Sequence, residues 1–297
     1  MVTSAANDRL AREPAVEMTG GFQWANLLPA SGGDVRLPPA ATGCDVIEPP
    51  RKVGVEGSAD TAIVGCLGVI DAHLRSGAGL VRVAGTQAEL LALLNAPQRA
   101  PRLAGESWLR LGVLALLGEA GVDQAAAAAR QALQLAVDGG EVSLQLSCLA
   151  LLGVADAFAG RVVRADVRLG DALFLCAHRD ATPLARLAVR GAAGLVALML
   201  GDAARAHAEL TSAACLADAA GLPDSVQVFL LGHRLYASAA LGREAESAGL
   251  ASRLGEACIP AGRGLLWSYR HLALGVLALR SGQALRALER ADACIEQ

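Results

Sequence analysis

Along residues 182–221, TPLARLAVRGAAGLVALMLGDAARAHAELTSAACLADAAG, apolar positions recur at helical spacing in two runs that break at Gly201-Asp202. The pattern predicts two helices joined by a tight turn. The same pattern repeats on either side. The turn glycines Gly160, Gly201, Gly242 and Gly282 follow one another at steps of 41, 41 and 40. A second marker lies mid-way along each first helix, at Gly112, Gly153, Gly194, Leu235 and Gly275. A period near 40 with two helices per unit predicts stacked helical hairpins.

Five units follow from this phase. The first pairs Glu106–Ala120 with Asp123–Val137, and the second Val142–Ala159 with Val162–His178. The third is 182–221. The fourth pairs Pro223–Leu241 with Arg243–Ala257, Pro223 suiting a first helical turn, and the fifth Gly264–Ser281 with Gln283–Ile295. A glycine inside a helix costs about 1 kcal/mol relative to alanine. Four at a fixed period predict a site where a neighbouring helix comes too close for a Cβ. Small residues stand twelve positions later, at Ala165, Ala206, Ser247 and Ala287. After Gly112 a longer turn brings Ala126 to that place.

A small residue in one helix matched to an alanine twelve later, with further small residues at Ala172 and Ala213, resembles the tetratricopeptide repeat. The units exceed its usual length of about 34 residues, its aromatic positions are mostly aliphatic here, and its closing proline is absent. Units near 40 residues, rich in Ala, Leu, Gly and Arg, are more similar to the tetratricopeptide-like sensor region of the large LuxR-type transcription activators of bacteria. The resemblance covers about residues 105–297. It implies an all-α, tetratricopeptide-like solenoid of about five helical hairpins. It also implies a cytoplasmic, non-catalytic interaction module tied to transcriptional regulation. The ATPase core and helix-turn-helix of that family have no counterpart in this sequence, so direct nucleic-acid binding by this chain is not expected.

The first hundred residues differ. Residues 1–57 are rich in Pro, Gly, Ser and Asp and lack periodicity, which predicts a poorly ordered or loosely docked leader. In residues 58–104, Ala59–Ser76 has helical spacing and Leu80-Val81-Arg82-Val83 reads as a short strand. Thr86 and Glu89 form a capping box that opens a helix over Leu90–Leu94. This segment reads as an irregular cap on the repeats or the remnant of a preceding domain. The repeats stop at Gln297 without a polar end helix, which predicts a continuation, self-association through the open last repeat, or a truncated regulator fragment without independent activity.

Composition sharpens this picture. The chain is 54% hydrophobic but 3% aromatic, so its core is built from Ala, Leu and Val. A net charge of −3 and a single lysine, Lys52, supply no basic stripe for nucleic acid. The apolar runs Val142–Ala155 and Gly191–Leu200 fall short of the roughly 20 residues a membrane span needs. Seven cysteines without a C-x-x-C spacing predict neither a disulfide framework nor a metal site. The four late in second helices (Cys176, Cys215, Cys258, Cys294) read as small buried residues.

No phosphate loop, His-Glu-x-x-His, Gly-x-Ser-x-Gly or dinucleotide fingerprint occurs, so no catalytic residue, cofactor or metal ligand is nominated. The remaining candidate is a concave groove lined by the first helices that receives a protein or small-molecule effector. The phase of the mid-helix marker nominates Leu195, Phe229, Tyr236, Tyr269 and Val276, with Trp267, Arg270 and His271 beside them. Tyrosine suits such a face because it offers apolar area and a hydroxyl. The competing reading has these rings fill the space between units four and five. A further alternative is an enzyme whose site lies between the N-terminal region and the repeats.

Overall fold

The structure is a computed structural model that describes residues 59–76, 83–95, 100–118, 121–222, 224–257 and 264–295. Among them every regular element is an α-helix. In chain order these are α1 (Ala59–Ser76), α2 (Ala84–Leu94), α3 (Pro101–Leu117), α4 (Gly121–Asp138), α5 (Val142–Phe158), α6 (Val162–His178), α7 (Pro183–Met199), α8 (Ala203–Ala219), α9 (Asp224–Ala240), α10 (Glu244–Glu256), α11 (Gly264–Arg280) and α12 (Ala284–Ile295). The chain is thus all-α across the described residues.

The turns follow from glycine. Gly160, Gly201, Gly242 and Gly282 take φ of +78°, +79°, +70° and +72°, a region that only glycine visits cheaply. At Gly160 the backbone N–H reaches Ala157 O at 2.9 Å and the next N–H, of Arg161, reaches Asp156 O at 2.8 Å. That pair of bonds ends a helix and satisfies its last carbonyls. The next helix starts on its own cap where the sequence supplies one: Asp202 accepts from Arg205 N at 3.0 Å and Thr182 from Ala185 N at 3.3 Å.

The helices from α3 on fall into two layers. The odd-numbered helices α3, α5, α7, α9 and α11 pack in succession against one another. The even-numbered helices α4 to α10 each pack on the odd helix before and the one after, and α12 packs on α11. No two even-numbered helices pack closely against each other. Long side chains join them instead: Asp166 of α6 to Arg205 of α8 at 2.6 Å, and His207 of α8 to Glu246 of α10 at 2.9 Å.

The odd-numbered helices meet the even-numbered helices that follow them without room to spare. A Cβ on Gly194 would lie 2.5 Å from Leu210 Cγ, and one on Gly153 would lie 2.7 Å from Leu169 Cγ. The glycines therefore do admit a neighbouring helix, but the intruding group is a leucine rather than the alanine expected twelve positions on. Ala206 and Ala287 take part through backbone oxygens, 3.4 Å and 3.6 Å from a Cβ built on Gly194 and Gly275. Gly112 faces Ala125 O, Ala128 and Leu151 rather than Ala126, because Gly121 starts α4 and resets the register. Equivalent parts of neighbouring units meet at a separation of 39 residues, as in Ser143 with Thr182 and His207 with Glu246.

Several N-terminal expectations change. Helix α2 starts at Ala84 behind a buried Val83 with helical backbone angles, and no side chain caps it. Thr86 and Glu89 therefore lie inside the helix, and Val83 belongs to no strand; 80–82 lie outside the described residues. Helix α3 begins at Pro101, whose fixed φ suits a first helical turn, and runs through the expected boundary at 104/105. The leader 1–57 and Pro223 also lie outside the described residues.

Helices α1 and α2 pack on α3, and α1 is fastened to it by charge. Arg110, 0% exposed, sends Nε to Asp71 Oδ1 at 3.0 Å and Nη2 to Asp71 Oδ2 at 3.2 Å. A fork-to-fork pair fixes both partners in angle as well as distance. The Asp60 carboxylate also accepts from Ala100 N at 3.2 Å.

These packing features set the cost of three substitutions. Asp71→Ala strands the Arg110 cation in the interior and lowers unfolding free energy by about 3–5 kcal/mol, whereas Asp71→Leu with Arg110→Met recovers most of it. Gly194→Ala, forced against Leu210, costs about 1–3 kcal/mol. Gly170→Ala, on a stretch of α6 with nothing within 4 Å, gains about 0.5–1 kcal/mol. Urea denaturation read by circular dichroism measures each change.

Candidate functional site

The residues nominated for a groove lie largely inside the molecule. Leu195, Phe229 and Tyr269 are 2%, 3% and 3% exposed. Tyr236 and Val276 are half-buried, and the side chain of Trp267 falls outside the described residues. Tyr269 of α11 packs over Gly232 of α9, where an added Cβ would sit 2.5 Å from its ring. Its ring lies 4.4 Å from Phe229, centroid to centroid, and its hydroxyl is 2.9 Å from His233 Nδ1. The glycine of close approach in the fourth unit is thus Gly232, one helical turn before Leu235.

Arg270 and His271 are likewise buried and joined to neighbours. Arg270 Nη1 donates to Ala257 O at 3.1 Å, which places a cation on the carbonyls that end α10. His271 Nδ1 lies 3.4 Å from Arg290 Nη1, a contact between α11 and α12. Of the nominated set, Phe229 and Tyr269 come together, and their surroundings are those of a core contact between α9 and α11.

Charge is concentrated between the even-numbered helices. Burial raises the Glu246 carboxyl, but hydrogen bonds from His207 and Arg234 outweigh it and hold it down to about 2. Arg243 Nη1 completes this cluster, 3.1 Å from His207 Nε2. At the end of α5, Asp156 is 2% exposed and gathers Arg161, Arg164 and Arg168 at 3.0, 3.3 and 3.1 Å.

An open cleft of about 500 Å³ lies between the C-terminal halves of α6 and α8, with α7 beneath. Its walls are Cys176 and Ala177 of α6 and Thr211, Ser212, Cys215 and Leu216 of α8, and Arg186 and Arg190 rise from α7. The two arginines stand four residues apart, so they share one face of that helix. The cleft exists because α6 and α8 are tied at one end, by Asp166 and Arg205, and stay apart at the other. That separation corrects one expectation: Cys215 is exposed, while Cys176 is buried and its thiol is pushed up by burial. Cys66 and Cys148 are buried as well; Cys258 and Cys294 fall outside the described side chains.

Reading the odd-numbered helices alone misses this cleft. The signal available was the matched register of Cys176 and Cys215 beside the Arg186/Arg190 pair. Among the described residues no group of His, Cys, Asp or Glu could hold a metal ion, and no helix is long and apolar enough to cross a membrane. Comparison with protein-family models and with curated sequences returns no match.

Burial gives the site region a pH signature. His233 is 2% exposed, and burial holds its imidazole down to about 4 against an ordinary 6.5, although the Phe229 carbonyl favours the protonated form. Between pH 6.5 and 4 the unfolded chain takes up a proton that the folded chain refuses, so stability falls with pH. The full change is roughly 3 kcal/mol, at 1.4 kcal/mol per unit. Urea midpoints at pH 7, 5.5 and 4.5 measure it, and His233→Gln flattens the profile. Glu246 acts in a separate window: its contribution is complete above about 4.5 and is lost as pH falls towards 2.

Proposed function

We propose that this chain is a non-catalytic, tetratricopeptide-like α-solenoid of about five hairpins that binds a protein or small effector. The cleft between α6 and α8 is the place where it does so. The observation that carries this reading is the contrast between the two layers. The odd-numbered helices are packed to contact, whereas the even-numbered ones are held apart by side chains and leave open, chemically varied space. Small-molecule sites are concave clefts of this kind, and packed helices commonly form them between one another.

The resemblance to the sensor region of LuxR-type regulators supports a link to transcriptional control in the cytoplasm, with nucleic acid contacted by some other domain or chain. Helix α12 exposes Leu285 and Leu288 at 79% and 59%, which favours self-association through the last hairpin as a second contact.

Two measurements test this reading. In a stacked array each unit leans only on its neighbours, so a chain ended after Ala257 retains the amide-exchange protection of α3 to α8. Loss of protection throughout reverses the architectural reading. Equilibrium dialysis of the intact chain against pooled cytosolic metabolites, read by mass spectrometry, retains an unchanged compound that Leu216→Trp expels by filling the cleft. Retention unaffected by Leu216→Trp, or conversion of the compound, reverses the functional reading.

A further inference from the structure

The lining of the α6–α8 cleft carries an uneven set of charges. Arg190 is satisfied, its Nη1 lying 2.8 Å from Glu209 Oε2. Arg186 is not so placed. Its nearest acid is Asp180, 4.0 Å from Nη2 and 112% exposed, so water screens the pair. Arg186 Nε and Thr211 Oγ1 are both closed off from solvent and have no hydrogen-bond partner. Buried donors without partners are uncommon, because each forfeits its hydration for nothing. Here two of them belong to residues that line the same cleft.

The remaining groups define what would satisfy them. Arg186 offers a planar cation whose fork matches a carboxylate or a phosphate. Thr211 and Ser212 add hydroxyls, which can donate to an oxyanion. Ala177 and Leu216 supply apolar wall, and Cys176 and Cys215 supply soft, weakly polar contact. Glu209 is already engaged by Arg190, so the cation of Arg186, 40% exposed and with only the solvent-screened Asp180 near it, is the least compensated charge in the cleft. The volume is of the order that small-molecule sites use, about 300–1,000 Å³.

We infer that the cleft between α6 and α8 binds a small oxyanion, a carboxylate or phosphate on a compact and partly apolar ligand, with Arg186 holding the anion and Thr211 completing its hydrogen bonds. This rests on the reading of that cleft as the effector site and adds the ligand's chemical class. A neutral carbonyl could accept from Arg186 Nε and Thr211 Oγ1, but only an oxyanion does so while also compensating the charge of Arg186.

The test uses the intact chain with two probes, inorganic phosphate and hexanoate, each against sodium chloride at equal ionic strength. Side-chain Nε–H and backbone amide resonances are followed by NMR. At least one probe shifts Arg186 Nε–H and the amides of Thr211 and Ser212 saturably. Arg186→Gln weakens that binding at least tenfold, Thr211→Val weakens it less, and Arg286→Gln on the exposed face of α12 leaves it unchanged. Thermal unfolding of each variant separates lost binding from lost folding. Saturation by phosphate alone assigns a phosphate ligand, and saturation by hexanoate alone assigns a carboxylate. Shifts spread evenly over surface arginines, or binding untouched by Arg186→Gln in a folded variant, overturn the inference. A neutral compound retained in dialysis and expelled by Leu216→Trp overturns the anion assignment while the binding reading stands.

Discussion

Where Leu210 lies against Gly194, and Leu169 against Gly153, the space between helices is smaller than one carbon atom. Everything else in the repeats is arranged around that exclusion. With no Cβ in the way, a leucine of the even-numbered helix drops onto the backbone of the odd-numbered one. The odd-numbered helices can then lie close enough to each other to be buried nearly all round. Close approach of this kind gains dispersion contacts over a large area and tolerates no added volume. The helical glycine's cost in propensity, about 1 kcal/mol, is small beside a packed interface of this extent.

The even-numbered helices answer a different constraint. Each is held on one side by an odd-numbered pair and faces solvent on the other. Lateral order comes from pairs such as Asp166 with Arg205 and His207 with Glu246, which fix spacing without filling the volume between them. One layer therefore sets the shape and the other leaves gaps. The α6–α8 cleft is such a gap, open because the ionic tie of Asp166 with Arg205 stands at the far end of the two helices.

Much of this was legible in the sequence, and the exceptions have physical causes. The turn glycines announce themselves because a positive φ is nearly exclusive to glycine, so Gly160, Gly201, Gly242 and Gly282 fix the period. The close-approach glycines were visible at Gly153 and Gly194, but Gly232 was not, since Tyr269 lands one turn away from the expected place. The aromatic residues misled for a related reason. Periodicity gives the side of a helix that a residue occupies, not whether another helix covers that side, and at Leu195, Phe229 and Tyr269 one does. The Asp71–Arg110 joint was silent because Asp71 lies on α1, ahead of the repeats, and a buried ion pair leaves no periodic trace. The cleft depends on two helices failing to meet, which no single residue encodes.

The glycine contacts also bear on how such a chain changes over generations. Where a leucine lies on the backbone, as at Gly153 and Gly194, only glycine fits, but elsewhere along the inner faces the requirement is looser; the repeats already show this in Ser247 standing where other units have Ala, and in Leu235 standing where they have Gly because the close approach there falls on Gly232 instead. The outer pairs can exchange sign or migrate along a helix as long as both partners move. Two descendants of one ancestor can thus keep every helix and every crossing while sharing few identical letters, so kinship among arrays of this design persists in spacing long after it has faded from spelling.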